Sequence, residues 1–163
     1  PCDVLLSPRS PWRLGGLATY VTLKGMNHVR NNIFASPLSP PGRGMLSLEL
    51  PRGESLTGAE IQRNIFYSTR KSDKILFQGK NYYGNACWLR DAKTDHNLYF
   101  NTADPGWGER HLDAERQHGI EEHSITDDPL FVDPAMGDFS LKPGSPALKL
   151  GFEPIDMSVI GLK

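Results

Sequence analysis

"RNNIFAS" (residues 30–36), "QRNIFYST" (62–69) and "DHNLYFNT" (95–102) repeat one arrangement, an Asn followed by an aliphatic and an aromatic residue. The asparagines are Asn32, Asn64 and Asn97, separated by 32 and 33 residues, and a looser copy, "GKNYYGN" (79–85), falls about midway through the last interval. Recurrence at such a period marks units that cannot bury their own apolar faces and depend on their neighbours to cover them.

Between these motifs lie short runs that alternate with period two: "ATYVTLKG" (18–25), "GMLSLELP" (44–51), "DKILFQG" (73–79) and "ACWLRD" (86–91). They read as strands of about five residues bounded by Gly, Pro, Asn and Ser. Helical periodicity is confined to "GERHLDAERQHGI" (108–120), where Leu112, Ala114 and a closing Gly119 predict one short helix. Short strands at regular spacing suit a sandwich, a barrel or a solenoid. Repeated Asn favours the solenoid, because stacked equivalent positions let side-chain amides hydrogen-bond along the axis, and Asn tolerates the left-handed corner. The expected fold is therefore all-β, a parallel β-helix fragment with one short helix, and Asn32, Asn64 and Asn97 form its structural ladder.

The stretch "DDPLFVDPAMGDFSLKPGSPALKLG" (127–151) breaks that pattern with Pro129, Pro134, Pro143 and Pro146 while still supplying apolar residues. Proline removes a backbone donor and fixes φ, so the stretch stops a strand array rather than extending it. It is expected to act as a cap that covers the open end of the last coil, with Phe131, Phe139 and Leu148 buried.

Residues 123–162, "HSITDDPLFVDPAMGDFSLKPGSPALKLGFEPIDMSVIGL", together with "VRNNIFA" and "RNIFY…DHNLYF", resemble the closing part of bacterial right-handed parallel β-helix proteins of the pectate-lyase-like superfold, many of them glycoside hydrolases or polysaccharide lyases. The resemblance covers about residues 26–163. It implies coils over 26–122, a C-terminal capping segment over 123–163 and an unplaced N-terminal segment, 1–25. It also implies an extracytoplasmic parent protein acting on polysaccharide by hydrolysis or β-elimination, with much of its catalytic cleft upstream of the coils present here. The chain begins at Pro1 without an initiator Met and without a signal pattern, which suits a fragment. Weak or absent activity and self-association through an uncapped N-terminal end are then expected. The alternative is a non-catalytic glycan-binding or structural module.

Hydrolysis of a glycosidic bond needs two carboxylates facing it. Outside the cap the candidates are Asp73, Asp91, Asp95 and Asp104, and the first two are the leading catalytic choices. Asp73 lies among Arg70, Lys71 and Lys74, a group able to hold an acidic sugar, although charged turns are usually just solvated. Trp107, in "DPGWGE", and Trp88 are candidate sugar-stacking residues, whereas Tyr99 reads as part of the repeated aromatic row.

Other chemistries lack support. Net charge is −1 and no run of five or more like charges exists, so nucleic acid is not an expected partner. No apolar stretch is long enough to cross a membrane as a helix. Cys2 and Cys87 fit neither a disulfide framework nor a zinc knuckle. His111, Glu115 and His118 share a helix face without the order of a known metal motif, and Asp127, Asp128, Asp133 and Asp138 read as Asp-Pro and turn residues rather than a calcium loop. No cofactor and no metal is expected.

Overall fold

In the computed structural model, residues 17–19, 28–35, 44–48, 56–78 and 89–155 are described. Alternation of apolar and polar residues draws them into short strands, and the 32- to 33-residue recurrence sets which strands meet. β1 (Leu17–Thr19), β4 (Gly44–Leu48) and β7 (Lys74–Gln78) form one parallel sheet. A second parallel sheet joins β2 (His28–Arg30), β5 (Glu60–Gln62) and β8 (Lys93–Asp95). The third places β3 (Ile33–Ala35), β6 (Ile65–Ser68), β9 (Leu98–Asn101) and β10 (Ile125–Thr126) side by side, also parallel.

Register in the third sheet explains its two faces. Ile33, Ile65, Leu98 and Ile125 align, as do Phe34, Phe66 and Tyr99 in the next row. Successive side chains point to opposite faces of a strand. The Phe34–Phe66–Tyr99 row therefore enters the main core, its rings stacked at centroid separations of 4.8 Å for each pair. The isoleucine row and its neighbours Tyr67 and Phe100 face the other way and belong to a second apolar cluster.

Helix α1 (Trp107–Arg116) packs on β9 and β10 and buries Trp107, Gly108 and Leu112. It ends before Gly119, whose φ of +73° suits glycine. After β10 come β11 (Phe131–Asp133) and β12 (Asp138–Leu141), an antiparallel pair joined through the 3-10 turn Pro134–Met136, and then α2 (Pro146–Lys149). Ser145 caps α2 by accepting the Ala147 N–H, and Pro146 takes the first helical position, where its missing N–H costs nothing.

The architecture corrects the expectation of an all-β right-handed parallel β-helix. The described residues form several small sheets, mostly parallel, with an antiparallel pair and two α-helices, and no solenoid. The physical reason is that a recurrent spacing specifies parallel pairing but not closure into coils. Here a helix supplies part of the core, since Trp107 and Leu112 join the cluster built by the strands.

The proline-rich segment also lies elsewhere than expected. Phe131, Ala147 and Phe152 pack into the second cluster with Ile65, Tyr67 and Leu98, on the outer face of the third sheet. The segment thus runs across a sheet face rather than over an end. Phe131 is buried and Phe139 partly so, whereas Leu148 is 38% exposed.

Candidate functional site

Asp73, Arg70 and Trp107 come together where β6 turns into β7. Asp73 Oδ2 accepts the Ser68 hydroxyl at 2.7 Å and Arg70 Nε at 3.2 Å, while Oδ1 lies 2.8 Å from Arg70 Nη2. The Asp73 carbonyl accepts the Trp107 indole N–H at 2.7 Å. The Arg70 carbonyl in turn accepts Asn101 Nδ2 at 2.9 Å, which ties the turn to the end of β9. Both oxygens of this nearly buried carboxylate are engaged, so it holds a turn in place and presents no open face to a glycosidic bond. Trp107 is only 6% exposed and cannot offer a ring to a sugar.

Other candidates fall apart from this cluster. Lys74 is exposed at the start of β7. Asp91, half-buried, ends the 3-10 turn Leu89–Asp91 that leads into β8. Trp88, Cys2 and Cys87 lie outside the described residues. Asp104 is paired with Arg110, whose hydrogen bond holds the carboxyl below its ordinary range. Asp127, Asp128, Asp133 and Asp138 each accept a nearby backbone N–H, as turn residues do.

Three corners connect the second sheet to the third, and each opens with a left-handed residue: Asn31 at φ 58°, Arg63 at 56° and His96 at 58°. The next residue in each corner is a member of the asparagine row. Asn64 Oδ1 accepts Asn32 Nδ2 and Asn97 Oδ1 accepts Asn64 Nδ2, both at 3.1 Å. Each amide oxygen also takes the backbone N–H of the preceding row member. These contacts satisfy corner groups that a strand ladder would leave unpaired.

The row runs onto an acid. Asn97 Nδ2 lies 3.2 Å from both Glu121 oxygens, the Tyr99 hydroxyl donates to Oε1 at 2.6 Å, and Ser124 donates its hydroxyl to Oε2. Burial pushes the Glu121 carboxyl up to about 7 against the opposing pull of these donors. Burial, reinforced by Glu121, likewise raises the Tyr99 hydroxyl well above its ordinary value. His111 meets the Tyr99 ring edge-on at 5.0 Å, its Nε2 buried without a hydrogen-bond partner. Burial drives the His111 imidazole down to about 4. Its Nδ1 is 4.0 Å from Glu115, and His118 is exposed, so the three residues do not converge on a common point.

Asp95, His96 and His123 form the one potential metal-ligand group among the described residues. Asp95 Oδ2 lies 2.7 Å from His123 Nδ1 and 3.3 Å from His96 Nδ1. Burial raises the Asp95 carboxyl, but the hydrogen bonds from His123 and His96 outweigh it and leave the group below its ordinary range. The bond to Asp95 raises His123. The sequence reading names Asp95 only as a candidate carboxylate and misses His96, His123 and Glu121. The available signal was the parallel between "DHN" (95–97) and "EHS" (122–124), in which a histidine precedes Asn97 in one segment and, in the other, Ser124, whose hydroxyl oxygen accepts the Asn97 N–H at 2.8 Å and so continues the row.

Comparison with protein-family models, curated proteins and solved structures finds no match to this chain.

Proposed function

We propose that this chain is a non-catalytic structural module of an extracytoplasmic carbohydrate-active protein. The association with carbohydrate rests on the resemblance of residues 123–162 to the closing part of polysaccharide-active proteins. The absence of catalysis rests on one observation, the engagement of both Asp73 oxygens by Ser68 and Arg70 at a nearly buried position. A general acid or nucleophile must reach the scissile bond, and a second carboxylate must face it. Asp73, buried with both oxygens engaged, does not meet the first condition. Self-association belongs to the same reading: β1, β2 and β3 are each the terminal strand of a parallel sheet in the described residues, and open strand edges pair with other chains.

The test assays the chain on a panel of neutral and uronate polysaccharides for reducing-end release and unsaturated products, with mass followed by light scattering. No turnover is expected, and Asp73→Asn should lower the unfolding midpoint. Turnover abolished by Asp73→Asn at an unchanged midpoint would overturn the proposal and return Asp73 to a catalytic role.

A further inference from the structure

The corner before β9 and the loop before β10 bring His96 and His123 ring on ring, with centroids 5.0 Å apart and planes 19° from parallel. Asp95 stands beside both. Its Oδ1 accepts the backbone N–H of His96 at 2.8 Å and of His123 at 2.7 Å. Those two bonds fix the carboxylate and leave Oδ2 turned toward both imidazoles. Carboxylates that ligate a metal are commonly held by such outer hydrogen bonds.

The ligand atoms of Asp95, His96 and His123 all lie within 4.8 Å of one another. Tetrahedral ligands at about 2.1 Å from a zinc ion sit roughly 3.4 Å apart. The Asp95–His96 separation of 3.3 Å already matches that span. The histidine side chains, 43% and 66% exposed, have room to swing inward over the remaining distance. Two imidazole nitrogens and one carboxylate oxygen form a donor set suited to borderline first-row ions, not to calcium or magnesium.

We propose that Asp95, His96 and His123 bind one divalent transition-metal ion of the zinc class, with water completing its coordination. The ion pins the loop that follows α1 to the corner between β8 and β9, and so couples metal occupancy to stability. This site does not depend on the proposed non-catalytic role.

The experiment titrates the whole chain with Zn2+ by calorimetry and with Co2+ by visible absorption. One ion per chain, a rise in melting temperature with Zn2+ and no response to Ca2+ are expected. His123→Ala and His96→Asn should each weaken binding by at least about tenfold, since loss of even an outer-shell partner costs that much. Asn is chosen at position 96 because it tolerates the left-handed backbone there. His118→Ala, on an exposed histidine outside the group, should bind as the parent does. Matching unfolding midpoints of the His123→Ala chain and the parent without metal would establish that the variant is folded. Failure to bind Zn2+, or one-to-one binding unchanged in His123→Ala, would overturn the site.

Discussion

Asn31 and Glu153, 122 residues apart, hold each other by a reciprocal pair of hydrogen bonds: Asn31 Nδ2 donates to the Glu153 carbonyl at 2.8 Å, and the Glu153 N–H donates to Asn31 Oδ1 at 2.6 Å. An asparagine amide here does what a neighbouring strand's backbone would do. The tail passes the next corner of the row as well, where a Cβ on Gly151 would stand 3.3 Å from Arg63 Nε. Asn31→Gly removes the paired bonds without straining the left-handed corner and should cost about 1 kcal/mol. Asn31→Ala adds the penalty of that conformation, a further 1–2 kcal/mol or about that. Urea unfolding of both variants checks the order, and faster hydrogen exchange at the Glu153 N–H should accompany each. Equal midpoints for the Gly and Ala variants would show that corner strain contributes nothing.

Docking of the proline-rich segment depends on Phe131 more than on Leu148. Its ring meets Tyr67 edge-on at 5.4 Å and Phe139 at 5.2 Å, and it is buried. Phe131→Ala should cost about 3–5 kcal/mol. Leu148→Ala, at an exposed position, should cost well under half as much. Chemical denaturation followed by tyrosine fluorescence distinguishes the two, and similar losses would indicate that the segment is loosely held.

Stability should respond to pH through two buried groups of opposite sign. Glu121, ordinarily at 4.5, stands at about 7 in the folded chain, so between those values the folded state keeps a proton that the unfolded state has released. Its contribution is complete below pH 4.5 and is lost as pH rises through 7. His111, ordinarily at 6.5, stands at about 4, so the unfolded state binds the extra proton and stability rises with pH from 4 to 6.5. The two trends oppose each other over most of that range. Glu121→Gln should leave the rising trend and remove the decline toward pH 7, whereas His111→Leu should leave the decline. Urea midpoints at intervals from pH 4 to 8 read both differences, and a Glu121→Gln profile parallel to the parent's would rule out the buried acid as a source of pH dependence.

Helix α1 sits against β9 and β10 with no space for one more carbon. A Cβ on Gly108 would fall 2.8 Å from Tyr99 Cβ and 2.8 Å from Thr126 Oγ1. Alanine raises helix propensity by about 1 kcal/mol over glycine, but overpacking of this kind costs about 1–3 kcal/mol. The Tyr99 Cβ is anchored to a central strand and cannot move aside as a side-chain tip would. Gly108→Ala should therefore lower the melting temperature, and a rise would show that the helix shifts outward without penalty.

Much of the strand pairing is legible in the sequence. The spacing of Asn32, Asn64 and Asn97 reappears as register, with Ile33 beside Ile65 and Ile65 beside Leu98. The helix, expected over 108–120, occupies Trp107–Arg116. The candidate site was far less legible. Trp107 stands among loop-forming residues, "DPGWGE", which suggest exposure, yet it opens a helix and its indole reaches a carbonyl 34 positions earlier in the chain. Asp73 looks like a solvated turn charge until Ser68 and Arg70 are seen around it.

By itself the sequence determined which residues recur and hence which strands lie parallel, because a repeated pattern of apolar and amide side chains finds its best partner in its own copy. Only the tertiary structure decided that these strands make several small sheets with helices in the core, that the proline-rich segment crosses a sheet face to reach Asn31, and that Asp95 and His123 meet. The first two join segments with no shared pattern, and the short parallel of "DHN" (95–97) with "EHS" (122–124) does not by itself bring Asp95 to His123. What selects them is the apolar surface left uncovered after the strands have paired, together with the polar groups at its edges, and neither exists until the chain has folded.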